Sequence, residues 1–207
     1  MERQSTRPGE AAGDADLPAT GGSRVLHTSR LVLRPPVPRD APAFAALADN
    51  PRIAEQTARM PYPYREQDAL AWIGRLGRLE DQSAETGFAI LQRESGALIG
   101  AAGFGGTGNG AEAEIGYWLG EPHWGNGYAT EAAWAVIGLA FTALALDRFL
   151  GRCRVGNEAS YRVLMKCGFH YAGGGMMSAR ALPGPVPADH FLLARSRWEN
   201  LKREGAA

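Results

Sequence analysis

The stretch HWGNGYATEA, residues 123–132, sets two glycines around an asparagine immediately before a run of helix-forming residues. Glycines cost conformational entropy, so their position indicates that something approaches the backbone more closely than a Cβ atom would allow. The first turn of a helix has unpaired amide N–H groups and a positive dipole end, so it can bind a phosphate or pyrophosphate. The loop has no lysine and is not a GxxxxGK[ST] loop, so the predicted contacts are the backbone amides of residues 125–129. A strand-to-helix turn, with glycines placed for close packing, is the alternative.

The segments on either side of this stretch predict a mixed α/β fold. Apolar residues recur at helical spacing from Ala129 to Leu144, which predicts a long helix after the loop. Apolar runs between glycine-rich and proline-rich turns predict strands, with the middle strands antiparallel and the long helix crossing between the fourth and the fifth. The predicted strands cover residues 30–36, 87–92, 97–104, 113–120, 149–155, about 170–177 and about 190–196. The other predicted helices cover about 40–50, 66–79 and 158–166.

The composition narrows the classes of function. With 22 basic and 22 acidic residues among 207, the chain gives no electrostatic reason to expect nucleic acid or a membrane surface as partner. Cys153 and Cys167 lack a CxxC spacing, which predicts no metal site and indicates reduced thiols in a cytoplasmic protein. No apolar run approaches the roughly 20 residues that span a bilayer. Residues 1–23 lack aromatics and an apolar signal region, so a disordered tail is expected there, followed by one domain over residues 24–204.

A second glycine motif has a different explanation. GFGGTG, residues 103–108, matches the G-x-G-x-x-G of dinucleotide-binding proteins and follows an apolar strand. The sequence after it, NGAEAEIGYW, predicts another strand and not the helix whose start would hold the pyrophosphate. The motif is therefore interpreted as a hairpin loop.

Three segments together resemble one family. TSRLVLRPPVPRDA at the first strand, AEIGYWLGEPHWGNGYATEA in the middle, and GNEASYRVLMKCGF after the fifth strand are similar to the GNAT superfamily of acetyl-CoA-dependent N-acetyltransferases, and more narrowly to its RimJ/RimL-like branch. The resemblance covers about residues 26–200. It implies the GNAT fold: a single central, mixed and largely antiparallel sheet of about seven strands and about four helices. It also implies a splay between the fourth and fifth strands.

The resemblance also implies where coenzyme A binds. The backbone of Gly125, Asn126, Gly127, Tyr128 and Ala129 would hold the pyrophosphate. The pantetheine amides would pair with the backbone of Tyr117, Trp118 and Leu119 on the splayed strand. The family often has Gln or Arg three residues before the first glycine; this chain has Pro122, which removes one side-chain ligand.

The position of the usual catalytic acid is occupied by a different residue here than in the wider family. Asn157 and Ser160 match the N-x-x-S of the branch. A tyrosine that often protonates the departing thiolate is replaced here by Leu164, so Ser160 is the candidate that donates a hydrogen bond to the coenzyme A sulfur. Ser160 could instead hydrogen-bond only within its own helical turn. Asn157 is expected to cap that helix and is also a candidate cofactor contact.

The candidate general base lies on the strand before the glycine loop. Glu112 and Glu114 share one face of that strand, whereas Ala113 and Ile115 share the other. Because Ile115 indicates the buried face, the glutamates point to the substrate cleft or to solvent, and Glu114 is nearer the site. An exposed strand carboxylate without a role is the alternative.

The predicted function is direct transfer of an acetyl group from acetyl-CoA to a primary amine in a ternary complex. The acceptor is the N-terminal amine of a protein or a small-molecule amine, and the enzyme is a monomer or a homodimer. A non-catalytic acyl-CoA-binding or regulatory module is the alternative, because the usual tyrosine is absent and the base is not identified.

Overall fold

The computed structural model describes residues 25–76, 85–107 and 111–205. The strands are β1 (Leu26–His27), β2 (Leu31–Arg34), β3 (Glu85–Gln92), β4 (Leu98–Gly106), β5 (Glu112–Leu119), β6 (Arg148–Arg154), β7 (His170–Met177) and β8 (Val186–Ala194). The helices are α1 (Ala41–Ala48), α2 (Pro51–Ala54), α3 (Glu66–Arg75), α4 (Tyr128–Ala143), α5 (Glu158–Lys166) and α6 (Arg195–Arg203).

All eight strands form one sheet in the order β1-β2-β3-β4-β5-β6-β8-β7. Neighbouring strands are antiparallel except for β5 and β6, which are parallel and are connected through α4. A parallel pair needs such a crossover connection, and the long apolar face of α4 supplies it. The predicted mixed and largely antiparallel sheet, with the long helix as its crossover, is therefore confirmed.

The β5–β6 pair opens part-way along its length. Register pairs join Glu112 to Arg148, Ala113 to Phe149 and Glu114 to Leu150, and no pair follows Glu114 among the described residues. Both strands continue beyond this point, to Leu119 and Arg154. The predicted splay between the fourth and fifth predicted strands is thus the gap between β5 and β6.

Each face of the sheet carries its own apolar cluster. The larger cluster packs α4 against the sheet and includes Val136, Phe141 and Phe149, all nearly inaccessible to solvent. The smaller cluster lies under α1 and α3 and includes Phe44 and Tyr64.

The structure differs from the sequence prediction at several element boundaries. Strand β1 was not predicted; it pairs with β2, the predicted first strand, and forms the edge of the sheet. Helix α2 and helix α6 were not predicted, and β8 begins four residues before the predicted start at residue 190. The hairpin loop predicted over residues 103–108 was wrong for residues 103–106, which continue β4 as far as Gly106. Residues 77–79 of the predicted second helix, residue 108 of that loop and the predicted disordered tail lie outside the described residues.

Among the described residues, no helix is both long enough and apolar enough to cross a membrane.

Candidate active site

The glycine loop adopts a backbone that only glycine accepts readily. Gly125 has φ +78° and Gly127, which directly precedes α4, has φ +79°. A Cβ added to Gly125 would meet no atom within 4 Å, so glycine is favoured there by the backbone conformation and not by a lack of space. A Cβ at Gly127 would lie 3.4 Å from Nη2 of Arg30, which makes this position tighter. The glycines are needed for the left-handed turn that aims the following amides outward.

The start of α4 presents a row of unused backbone donors. The amide of Glu131 donates to the carbonyl of Gly127 and is the first to be engaged in the helix. Within the described parts of the chain, the amides of residues 125–130 have no hydrogen-bond acceptor. Exposed amides at a helix start, together with the positive end of the helix dipole, form a site that favours an anion.

Arg30 adds a positive charge beside this row. Its Nη1 donates to the carbonyl oxygen of Asn126 at 2.8 Å, and its guanidinium lies 4.7 Å from the ring centre of Tyr128. Glu131 holds Arg30 in place through a 2.7 Å ion pair and also accepts hydrogen bonds from Thr28 and the Arg30 amide. Burial would raise the pKa of the Glu131 carboxyl, but these hydrogen bonds outweigh it and lower that pKa. The turn between β1 and β2 is thereby fixed to the start of α4.

Alternate residues of β5 direct their backbone N–H and C=O groups either to β4 or into the gap. Gly120 N donates to Ile99 O, so Gly120 is hydrogen-bonded to the chain next to it. Along an antiparallel ladder every second residue is bonded in this way, so Trp118, two residues earlier, is bonded to β4. The N–H and C=O groups of Tyr117 and Leu119 therefore point away from β4, toward the gap. The Leu119 carbonyl accepts a 2.8 Å hydrogen bond from the Trp124 indole. The backbone groups that this geometry directs into the gap are therefore those of Tyr117 and the Leu119 amide, whereas those of Trp118 are bonded to β4.

Ser160 contacts a second hydroxyl inside the gap. Its Oγ lies 2.9 Å from the phenol oxygen of Tyr117, which also lies 3.3 Å from the Ser160 carbonyl. The Ser160 amide donates to Oδ1 of Asn157 at 3.0 Å, so Asn157 caps α5 as predicted. Burial raises the pKa of Tyr117, and the hydrogen bond with Ser160 opposes this rise only in part. Tyr117 is therefore a neutral hydrogen-bond donor at neutral pH.

A cleft of about 790 Å³ extends from this hydroxyl pair across the face of the sheet under α3. Glu114 lines it, on the face opposite to buried Ala113 and Ile115, as the strand pattern predicts. Both carboxylate oxygens of Glu114 accept hydrogen bonds from Arg152, at 2.9 and 2.6 Å. The ion pair joins β5 to β6 just where the gap opens. Glu114 is thus beside the site, but its lone pairs are engaged by a guanidinium.

The far wall of the cleft comes from the chain between α2 and β3. Tyr64 and Trp72 line it, and the indole N–H of Trp72 donates to Glu85 at 3.1 Å. Arg59 forms a 2.9 Å ion pair with the same Glu85. Burial raises the pKa of Tyr64 to about 12, with a further contribution from Asp68.

The structure brings most of the predicted site residues together. The loop residues Gly125–Ala129 lie at one end of the gap, and Tyr117, Ser160 and Glu114 line the cleft at the other. Sequence reasoning did not find Arg30, Arg152 or the phenol of Tyr117 as parts of the site. Their pairings join residues between 38 and 101 positions apart, so no local spacing could have indicated them.

The family model described as the acetyltransferase (GNAT) domain matches residues 30–170. This chain belongs to the GNAT acetyltransferase family. The resemblance inferred from the three segments is thereby confirmed, and the chain is an acetyltransferase by family.

Individual relatives agree with this assignment. The N-acetyltransferase YoaA of Bacillus subtilis, itself uncharacterized, is 33% identical over 150 residues, covering 72% of this chain and 84% of YoaA. The ribosomal-protein-serine acetyltransferase of Escherichia coli is 30% identical over 138 residues, covering 64% of this chain and 74% of that protein. The crystal structure of Mycobacterium smegmatis RimJ in complex with CoA-disulfide superimposes with a TM-score of 0.70 at 22% identity, covering 85% of this chain and 90% of RimJ.

Proposed function

We propose that this GNAT protein transfers the acetyl group of acetyl-CoA directly to a primary amine within a ternary complex. The observation that carries the proposal is the pairing of two features: the unused amides at the start of α4 and the β5–β6 gap that leads away from them. An anionic diphosphate fits the amides of residues 125–130, which lack acceptors, and Arg30 adds a fixed positive charge. A pantetheine chain fits the outward backbone groups of Tyr117 and Leu119.

Bound there, acetyl-CoA supplies an activated thioester. The acceptor amine attacks the thioester carbon, a C–N bond forms, and the C–S bond breaks. The amine releases one proton to a carboxylate or to water, and the coenzyme A sulfur takes up one proton. Protein groups that exchange these protons can contribute about 10² to 10⁴ in rate.

Ser160 is the proposed acid. When the Tyr117 O–H donates to Ser160 Oγ, the Ser160 O–H is left to donate to the departing sulfur across the gap. Because burial raises the pKa of Tyr117, the phenol keeps its proton throughout the neutral range and can donate it to Ser160 Oγ. The developing negative charge on the acyl oxygen would be met by the Tyr117 or Leu119 amide, since both N–H groups point into the gap.

Glu114 is the proposed base, although its carboxylate is bonded to Arg152. Arg152 occupies both oxygens of its carboxylate, so Glu114 acts through a bound water or after the ion pair has opened. Glu85 is less suitable, because Arg59 and the Trp72 indole occupy its two oxygens and hold it in the wall.

Thiol release with candidate amines tests the proposal, and the Ser160→Ala variant tests the acid. We expect kcat to fall by about 10², with the dissociation constant of acetyl-CoA changed less than about twofold, because the loop amides remain. Ser196→Ala, at an exposed position of α6 that does not line the cleft, is the matched control and should keep parental turnover. Equal turnover in Ser160→Ala and the parent would refute the acid role.

A non-catalytic acyl-CoA-binding module is the rival. It would bind acetyl-CoA with the same loop and release no thiol with any amine. The Tyr117–Ser160 pair at the inner end of the gap favours catalysis, because simple binding at the diphosphate seat does not need it.

A further inference from the structure

Nearly every arginine in the described ranges uses its guanidinium for a hydrogen bond or an ion pair. Partners are carboxylates, as for Arg59 and Arg152, or backbone carbonyls, as for Arg195. Within those ranges the guanidinium groups of Arg39, Arg75 and Arg180 form neither a hydrogen bond nor an ion pair. Two of these three, Arg75 and Arg180, line the cleft.

Both arginines are placed by structured backbone. Arg75 is the last residue of α3 and lies beside the Tyr64 side chain, where its charge opposes in part the rise that burial causes in the Tyr64 pKa. Arg180 follows β7, and its amide donates to the carbonyl of Ala58 at 3.0 Å. This hydrogen bond ties the segment after β7 to the wall of the cleft formed by residues 56–61. The two cations therefore belong to the rim of one cavity.

The charge in the cleft is biased toward cations. The described residues that line it include four arginines and three carboxylates. Glu85 is paired with Arg59, Glu114 is paired with Arg152, and Asp68 accepts the Arg65 amide at the start of α3. Among these three only Asp68 has no cationic partner, so the described lining offers one unneutralised carboxylate, whereas a polyamine or an aminoglycoside carries several ammonium groups.

Two buried polar atoms in the same wall lack partners. Within the described chain, Oγ1 of Thr86 and Oε1 of Gln56 have no hydrogen bond, although both atoms are closed off from solvent; Thr86 is 6% exposed. Both residues line the cleft. Leaving a buried polar atom without a partner costs stability. A ligand that donates an N–H or O–H to these two atoms, after a small side-chain rotation, would remove that cost and explain why polar atoms are placed there.

We propose that the acceptor is a small primary amine that also carries a carboxylate or phosphate group, which Arg75 and Arg180 bind. The inference rests on the proposed acetyl transfer and specifies its substrate class. Arginine suits this task because its planar guanidinium donates two parallel hydrogen bonds to a carboxylate or phosphate. The bound anion anchors one end of the acceptor at the rim, while the amine reaches the thioester at the inner end of the gap.

Matched acceptor pairs test the substrate class in a thiol-release assay with the full chain. Amino acids are compared with their α-carboxamides, O-phosphoethanolamine with ethanolamine, and spermidine serves as a polycationic amine. We expect kcat/KM at least about tenfold higher for the acid-bearing member of one pair. The pair that responds identifies the anion as carboxylate or as phosphate.

Variants then assign the effect to the two arginines. Arg75→Gln and Arg180→Gln should each raise KM for the acid-bearing acceptor about tenfold, while KM for acetyl-CoA and turnover of the neutral amine stay at parental values. Arg39→Gln is the matched control, since Arg39 also lacks a partner but does not line the cleft. Parental melting temperatures in all three variants exclude misfolding.

The outcomes separate this inference from the proposed function. Thiol release that is as fast with carboxamides, ethanolamine or spermidine overturns the acidic acceptor and leaves acetyl transfer standing. Unchanged KM in both arginine variants overturns the role of these arginines. No thiol release with any amine removes the proposed function and this inference with it.

Discussion

At the residue scale, the contact that matters most is the one between Tyr117 and Ser160. Their oxygens lie 2.9 Å apart, and each hydroxyl has one proton to donate. In the proposed reaction Ser160 donates to the departing sulfur, which leaves its Oγ to accept the O–H of Tyr117. We therefore expect Tyr117 to act as a positioning residue, through Ser160.

Replacing Tyr117 with phenylalanine tests this role, because it removes the hydroxyl and keeps the ring. A lost hydrogen bond of about 1 kcal/mol predicts a fall in kcat of roughly fivefold, with little change in acetyl-CoA affinity. The effects of Tyr117→Phe and Ser160→Ala should not add in the double variant, because both act on one hydrogen bond. Steady-state kinetics of the two single variants and the double variant measure this coupling, and fully additive losses would contradict it.

Single residues also show what the sequence could and could not reveal. Asn157 was identified as a helix cap because a cap is a local signal, and its side chain accepts the amide three residues on. Glu114 was placed on the cleft face by strand alternation alone. Its pairing with Arg152 depends on how two strands separate, which no pattern within either strand contains.

At the scale of elements, α6 is the longest of the described elements that sequence reasoning missed. Its sequence RSRWENLKR is almost entirely polar, so periodicity gave no signal, and only Trp198 is fully buried. The helix is held instead through Arg195, whose guanidinium donates to the carbonyls of Phe141, Leu144 and Leu146 at 2.6–2.7 Å. These carbonyls lie at and beyond the end of α4, where a helix leaves its acceptors unsatisfied.

The Arg195→Met substitution should therefore destabilise the C-terminal end of α4 as well as α6. Three buried carbonyls would lose a charged donor, and we expect the free energy of unfolding to fall by about 2–5 kcal/mol. Arg203→Met, on the exposed end of the same helix, should change it by no more than about 0.5 kcal/mol. Urea unfolding of both variants makes the comparison, and a loss in Arg195→Met no larger than that of the control would contradict the capping role.

At the scale of the whole molecule, the sheet consists of two parts joined weakly at one place. Strands β1–β5 form one part and β6, β8 and β7 the other, with register pairs between them only over residues 112–114 and 148–150 in the described chain. The apolar face of α4 packs beneath both parts, and its N-terminal amides lie at the open end of the gap. A ligand that spans the gap must therefore contact both the loop and the free edge of β5.

Hydrogen exchange with fragments of coenzyme A tests this arrangement. ADP should slow exchange of the amides of residues 125–130, because a diphosphate would accept their hydrogen bonds, and should leave the Tyr117 and Leu119 amides unchanged. Pantetheine should do the reverse, and coenzyme A should protect both groups. The Gly127→Val variant, which forces a side chain into a left-handed conformation beside Arg30, should lose the first protection and keep the second. If coenzyme A left the loop amides exchanging as in the free protein, the diphosphate would lie elsewhere, and the gap would no longer explain how the thioester reaches Ser160.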